Sequence, residues 1–381
     1  MGIPIEFIVF GLVLLGVAVF HNHPLTISLG GLAAVLAIKL FSPDFHLGPH
    51  LRGEAALLAN LFGLLLGFAA LARHFEASRL PLLAPLILPD DWKGPLVLLI
   101  LVWLLSAFLD NIAAALVGGA VAATVFRGRV HIGYLAAIVA ASNGGGAGSV
   151  LGDTTTTMMW IAGVPAAEVL HGFIGSGAAL ICFGIPASLQ QHRHQPILAN
   201  PVGKVIVDWR RVGAVATVLI GAMVANLALD FPAAGVWVAL LLWAPFVGMP
   251  WKVMPQAARG ALFLASLVLI ASLMPVEKLP AASWPATLAL GFVSAFFDNI
   301  PLTKLALDQG GYDWGLLAYA VGFGGSILWF GSSAGVALSG AFPSLRSVGA
   351  WLRNGWYIAP AYVAGFFIML AIAGWHPHPL H

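Results

Sequence analysis

Two carboxylate–amide pairs stand inside apolar stretches of this 381-residue chain. The phrase "SAFLDNI" places Asp110 beside Asn111, and "SAFFDNI" repeats the pair as Asp298 and Asn299. A carboxylate inside a membrane segment costs about 2.5–3.5 kcal/mol on insertion scales and faces a cavity or a partner rather than lipid. A single buried Asp can simply lock two helices together, but a repeated Asp-Asn pair favours a function. Carboxylate and amide oxygens can together form a hard oxygen cage for a cation.

A glycine-rich motif follows each Asp-Asn pair. "GGAGSVLGD" runs from Gly145 to Asp153, and "GGSILWFGS" runs from Gly324 to Ser332. The hydroxyls that these segments add are Thr154, Thr155, Thr156 and Thr157 in the first, and Ser326, Ser332 and Ser333 in the second. Close helix packing would explain the glycines, and back-bonding to helix carbonyls would explain the threonines. Neither explanation predicts the repetition, and only the first motif carries a carboxylate.

The composition indicates what must position these groups. The chain is 60% hydrophobic and 8% charged, with a mean hydropathy of +0.95, whereas a soluble domain has roughly 25% charged residues. Apolar runs long enough to cross a hydrocarbon core of about 30 Å recur at about 5–20, 25–41, 55–72, 165–187, 211–229, 233–249, 257–274 and 356–374. We therefore expect an all-α polytopic membrane protein. A net charge of +2 does not suggest a nucleic-acid partner, and the only cysteine, Cys182, is expected to be an inert packing residue.

The repeated motifs predict an internal duplication. The predicted divisions are a first repeat over 1–188, a linker over 189–210 and a second repeat over 211–381. The first Asp-Asn pair is expected at the tip of a re-entrant helical hairpin with arms at about 95–109 and 112–126, since neither arm is long enough to span the core alone. Pro301 favours a break at the second tip, because proline disfavours a helical residue before it. Each repeat then has five transmembrane helices, one of them glycine-broken, plus a hairpin. Because five is odd, the two repeats are predicted to be inverted.

Loop charge predicts the orientation. Placing the N- and C-termini outside and the linker over 189–210 in the cytoplasm puts most of the 17 Lys and Arg residues on the cytoplasmic face, as the positive-inside rule requires. The compact chain without long loops suits a bacterial inner (plasma) membrane.

The segments "DNIPLT", "GG…GDTTTTMMW" and "GGS…GSSAGVAL" resemble the NhaD-type sodium/proton antiporters of the ion transporter superfamily. That superfamily also includes arsenite permeases and citrate and dicarboxylate carriers. The resemblance covers nearly the whole chain. It implies an elevator-type transporter with a scaffold domain, often a homodimer, and a mobile transport domain, in which the two hairpin tips and the two broken helices form the binding site.

The resemblance also implies particular ion- or substrate-binding residues. These are Asp110 and Asn111 at the first tip, Asn143, Asp153, Thr155 and Thr156 in the first broken helix, Ser294, Asp298 and Asn299 at the second tip, and Ser332 and Ser333 in the second broken helix. The metal ligands for Na⁺ or Li⁺ would be Asp110, Asn111, Asp153, Asp298 and Asn299. Lys304 is a cation close to this set. We favour pairing with Asp308 four residues on; the alternative is that Lys304 replaces one bound ion and leaves a single exchangeable site.

The function that these residues favour is cation/proton antiport, with Na⁺ or Li⁺ and H⁺ as the transported ions and no cofactor. The carboxylate carriers resemble a Ser-Asn-Thr pattern at the tips, whereas both tips here have Asp before Asn. A tip carboxylate repels an anion and attracts a cation. The alternatives are an anion permease for arsenite or a di- or tricarboxylate, and a non-transporting membrane scaffold. An enzyme is not expected, because no HExxH motif occurs and the Ser and His residues show no readable nucleophile–base arrangement.

Overall fold

The chain folds into helices. The computed structural model describes residues 4–378 except 21–22, 42–44, 81–82, 84–87, 198–205, 230 and 298. Within these residues the regular elements are α-helices and short 3₁₀ turns, and no strand occurs. The all-α prediction is confirmed.

The helices before the linker include one that overlaps each predicted apolar run. They are α1 (Ile5–Val19), α2 (Pro24–Leu40), α3 (Leu47–Ala77), α4 (Lys93–Ser106), α5 (Asn111–Val125), α6 (Ile132–Ala147), α7 (Thr154–Ile161), α8 (Ala166–Leu170) and α9 (Gly172–His194).

The helices after the linker follow the same pattern. They are α10 (Trp209–Leu229), α11 (Pro232–Val247), α12 (Met254–Ser272), α13 (Trp284–Ser294), α14 (Asn299–Gln309), α15 (Trp314–Gly324), α16 (Ser333–Ala341), α17 (Val348–Asn354) and α18 (Ile358–Ala373). A helix lies within every run from which a membrane crossing was predicted.

Several of these helices have the length and composition of a membrane span. Among the described residues three qualify outright, namely Leu47–Ala77, 166–194 and 251–272, and the α17–α18 pair, bent by 58°, adds a fourth. Others, such as α2 and α5, are apolar but shorter. A polytopic membrane protein fits this set, and the number of crossings in each repeat stays a prediction.

Both predicted hairpins and both glycine breaks are present as helix interruptions. α4 and α5 are the arms of the first hairpin, and the turn between them ends at Asp110. α13 and α14 are the arms of the second. The first glycine segment separates α6 from α7, and the second separates α15 from α16. The order hairpin, then broken helix, therefore occurs twice in the chain.

Helices α6 and α15 form the centre of the fold. From Gly133 to Ala147 every residue of α6 is buried, and so is every residue of α15. A helix that is apolar all round belongs in the interior. A Cβ on Gly145 would lie 2.0 Å from the Trp103 carbonyl oxygen of α4, and one on Gly324 would lie 2.2 Å from the Gly291 carbonyl oxygen of α13. The glycines therefore let each hairpin arm contact the backbone of its broken helix.

The expected break at the second tip is present, since α13 ends at Ser294 and α14 begins at Asn299. The reason given for it does not hold in detail, because Ile300, which precedes Pro301, is itself helical. Pro301 instead occupies the first turn of α14, where a missing backbone N–H breaks no hydrogen bond. Cys182 is exposed on α9 rather than packed inside, because it lies on the outward face of that helix.

Candidate functional site

The candidate site lies where the hairpin tips approach the two helix breaks. Four helices end here, α4, α6, α13 and α15, and four begin, α5, α7, α14 and α16. Each helix end leaves backbone carbonyls without intrahelical partners, and each helix start leaves N–H groups. The ends carry partial negative charge and the starts partial positive charge. Such a junction can hold both a cation and the carboxylate that neutralises it.

The Asp153 carboxylate receives one amide from each hairpin. Asn111 of α5 donates from Nδ2 to Oδ1 of Asp153 at 3.1 Å. Asn299 of α14 donates from Nδ2 to Oδ2 of Asp153 at 3.2 Å. The Thr155 hydroxyl also donates to Oδ2. Asp153 is 3% exposed, so these contacts replace the water that a free carboxylate would bind.

Asn143 connects this group to the second broken helix. Its Oδ1 accepts from Asn111 Nδ2 at 3.1 Å. Its Nδ2 donates to the hydroxyls of Ser326 and Ser332, both at 2.9 Å. Ser332 also accepts from the Gly335 N–H at 3.3 Å and so caps α16. We call Asn111, Asn143, Asp153, Thr155, Asn299, Ser326 and Ser332 the central polar cluster.

The same local position carries different chemistry in the two glycine segments. Asp153 and Ser332 each lie eight residues after the first glycine of their Gly-Gly pair. Each directly precedes a helix, α7 or α16. These matching positions therefore hold a carboxylate at one break and a hydroxyl at the other. The described part of the cluster contains a single carboxylate.

Other predicted residues hydrogen-bond to backbone groups instead. Asp110 accepts from the Ile112 N–H at 2.6 Å and caps α5. Ser294 donates to the Val321 carbonyl at 2.7 Å, tying the second hairpin to α15. Thr156 donates to the Ser149 carbonyl at 2.6 Å, inside the first glycine segment.

Ser333 is the first residue of α16, directly after Ser332. Asp298 lies outside the described residues.

Lys304 and Asp308 form an ion pair on α14. Lys304 Nζ lies 2.7 Å from Asp308 Oδ1 and 3.0 Å from Glu54 Oε1 of α3. The pairing favoured from the sequence is therefore present, with a second carboxylate that the sequence did not indicate.

Sequence reasoning left Ser326 out of the proposed ligands. In the first glycine segment the matching position is Ala147, so the repeat gives no signal for it. The sequence feature that could have indicated Ser326 is a hydroxyl two residues after Gly324, at the end of a buried helix.

The cluster can exchange hydrogen-bond donors for oxygen ligands. A side-chain amide carries two N–H donors and one carbonyl oxygen. Asn111 and Asn299 donate to the carboxylate as described above, and rotation of either amide would turn its oxygen toward a cation held by Asp153. Groups of three or more His, Cys, Asp or Glu side chains placed to hold a metal ion do not occur among the described residues. Carboxylate, amide and hydroxyl oxygens, which make up the cluster, are the ligands that hard cations prefer.

Comparison with curated proteins finds relatives that share one named activity. The sodium/proton antiporter 1 of Arabidopsis thaliana is 29% identical over 279 residues, which cover 59% of this chain and 46% of the relative. The NhaD Na⁺/H⁺ antiporter of Halomonas elongata is 31% identical over 169 residues, covering 43% of this chain and 31% of the relative. This chain is related to the NhaD-type sodium/proton antiporters. The sodium/proton antiporter 2 of Arabidopsis thaliana is 27% identical over 332 residues, covering 72% of this chain and 75% of that relative.

These similarities have limits. No protein-family model matches the chain. The chain spans less than half the length of the first two relatives. The relatives, together with the apolar helices, identify an integral membrane protein.

Proposed function

We propose that this chain exchanges Na⁺ or Li⁺ for H⁺ across a membrane, with the central polar cluster as the ion site. The observation that carries the proposal is the Asp153 carboxylate held between Asn111 and Asn299, one amide from each hairpin. The names of the relatives support the same activity.

The proposed mechanism is competition at Asp153. Desolvation favours the protonated form of a carboxylic acid, and a nearby cation favours its ionised form. The Asp153 carboxylate then holds either a proton or a cation. In this proposal Asp110 and Asp298, the acids of the two Asp-Asn pairs, contribute further negative charge, and Asn143, Thr155, Thr156, Ser294, Ser332 and Ser333 are the surrounding polar groups. Alternating exposure of the site to the two sides turns this competition into exchange.

The wider architecture belongs to the same proposal. It comprises two inverted repeats, 1–188 and 211–381, joined by a cytoplasmic linker over 189–210, with both termini outside. The order of hairpin and broken helix, which occurs twice, supports the repeats. An elevator-type movement, a homodimer and a bacterial inner membrane rest on the family resemblance and on the compact chain. Lipid and small inorganic ions are the expected partners.

The experiment is cation-induced dissipation of a pH gradient in proteoliposomes. Wild type should respond to Na⁺ or Li⁺, and Asp153→Asn should not, because an amide can neither ionise nor take up the competing proton. The matched control is Asp91→Asn, an exposed carboxylate before α4, which should respond like wild type.

The other functions make different predictions in this assay. An anion permease would show uptake of arsenite or a carboxylate without a cation-dependent change of the pH gradient. A non-transporting scaffold would show neither flux and would tolerate Asp153→Asn. Either result would overturn the proposal.

A further inference from the structure

The second hairpin carries an ion cluster that has no counterpart among the described residues of α5 in the first hairpin. Lys304 of α14 contacts Asp308 of the same helix at 2.7 Å and Glu54 of α3 at 3.0 Å. Five and nine residues after Asn111, the corresponding positions of α5 hold Leu116 and Ala120. The duplication of the motifs therefore gives no reason for the cluster.

The cluster is largely removed from solvent. The side chain of Lys304 is 8% exposed and that of Glu54 is 16% exposed. Removing the Glu54 carboxylate leaves Lys304 paired with Asp308 on its own helix, so what is lost is the contact between α14 and α3. The contact between Lys304 and Glu54 is therefore able to hold two helices in register.

Helix α14 connects this cluster to the ion site. Its first residue, Asn299, donates to Asp153. Lys304 follows five residues later, about 7.5 Å along the axis at 1.5 Å per residue. A displacement of α14 at Lys304 therefore moves the Asn299 amide as well.

Helix α3, which carries Glu54, is hydrogen-bonded to its neighbour α11. Asn60 of α3 accepts the Ala233 N–H of α11 at 3.0 Å, and the Gly63 carbonyl accepts the Trp237 indole N–H of the same helix at 2.9 Å. Glu54 lies on α3 less than two turns before Asn60, so it belongs to a helix that is itself hydrogen-bonded to its neighbour.

We infer that Lys304 is a positioning residue, which anchors α14 to α3 through Glu54 and thereby sets where Asn299 meets Asp153. The inference rests on the proposed cation exchange, because it assigns Lys304 an effect on cation affinity. Asp308 has a different role. It lies on the same helix as Lys304 and orients the ammonium group without linking α14 to α3.

The test compares Glu54→Gln with Asp308→Asn. Both substitutions remove one carboxylate from the same ammonium group, but only Glu54→Gln breaks the contact between helices. In proteoliposomes, Glu54→Gln should raise the apparent KM for Na⁺ at least about tenfold with little change in maximal rate, as expected when ground-state binding is lost. Asp308→Asn should raise it by less than about threefold, as for an exposed i,i+4 pair. An equal or larger effect of Asp308→Asn would overturn the inference.

Two further measurements keep the test decisive. Glu54→Asp keeps the charge on a side chain that is one methylene shorter, so it should fold. Its KM for Na⁺ should lie between the wild-type value and the roughly tenfold higher value expected of Glu54→Gln. It replaces Glu54→Gln in the test if that variant does not fold. The melting temperature of detergent-solubilised protein should fall more for Glu54→Gln than for Asp308→Asn. If wild type shows no cation exchange, the proposed function fails while this comparison of melting temperatures still tests the anchor; equal melting temperatures would refute it.

Discussion

Asn143→Ala should damage both stability and cation affinity. The substitution removes three hydrogen bonds, from Asn143 to Ser326 and Ser332 and from Asn111 to Asn143. At a net value of about 1 kcal/mol for each bond, the free energy of unfolding should fall by about 3 kcal/mol. If all of that energy were lost from cation binding instead, the affinity would fall about a hundredfold, since about 1.4 kcal/mol corresponds to a factor of ten. We expect the loss to be shared, with an apparent KM for Na⁺ raised at least about tenfold.

The assay measures the melting temperature in detergent and the KM in proteoliposomes for the same preparations. The control is Asn60→Ala, which also removes a buried Asn but lies on α3 outside the cluster, with one hydrogen bond, to the Ala233 N–H. It should lower stability by about 1 kcal/mol and raise the KM less than Asn143→Ala does. If Asn143→Ala matched Asn60→Ala in both quantities, the reasoning about the cluster would be refuted.

Two further predictions concern the supports of the site. Gly145→Ala should prevent folding or lower the melting temperature strongly, because its Cβ would lie 2.0 Å from the Trp103 carbonyl oxygen. The control is Gly177→Ala, whose Cβ would have nothing within 4 Å and which should be tolerated. Comparable expression of the two variants would contradict this packing. Burial lowers the pKa of His131 from its ordinary 6.5, with a further lowering from His194, and its Nδ1 accepts a backbone N–H at the start of α6. Because only the unfolded state takes up this proton between the ordinary pKa and the lowered one, stability should fall as pH drops below about 6.5. His131→Asn keeps a capping acceptor and should reduce that slope in melts recorded from pH 7.5 to about 5; an unchanged slope would assign the effect to other groups.

The sequence predicted the helix breaks well, because the signals for them are local. Glycine pairs and interrupted apolar runs report on the backbone wherever they occur, so the two hairpins and the two broken helices could be located. The Asn of each Asp-Asn pair, Asn111 or Asn299, is the first residue of a hairpin arm. The direction of each side chain was not readable: at the first tip the amide of Asn111 reaches Asp153, while the carboxylate of Asp110 caps its own helix.

Contacts between distant segments were beyond the sequence. Glu54 and Lys304 are 250 residues apart, and no local pattern relates α3 to α14. The link from Asn143 to Ser332 joins the two broken helices, which the family resemblance places in one site without indicating which side chains meet. Such pairs depend on how the repeats pack against each other, which hydrophobic periodicity does not encode.

The most direct test of the account is Na⁺ binding to purified protein across a range of pH. If proton and cation compete for Asp153, the apparent Na⁺ affinity should weaken as pH falls, approaching about tenfold per pH unit below the pKa of the site. Asp153→Asn should abolish the binding, and Asp91→Asn should leave it unchanged. Na⁺ binding that is independent of pH, or that survives Asp153→Asn, would contradict the claim that one buried carboxylate holds either ion.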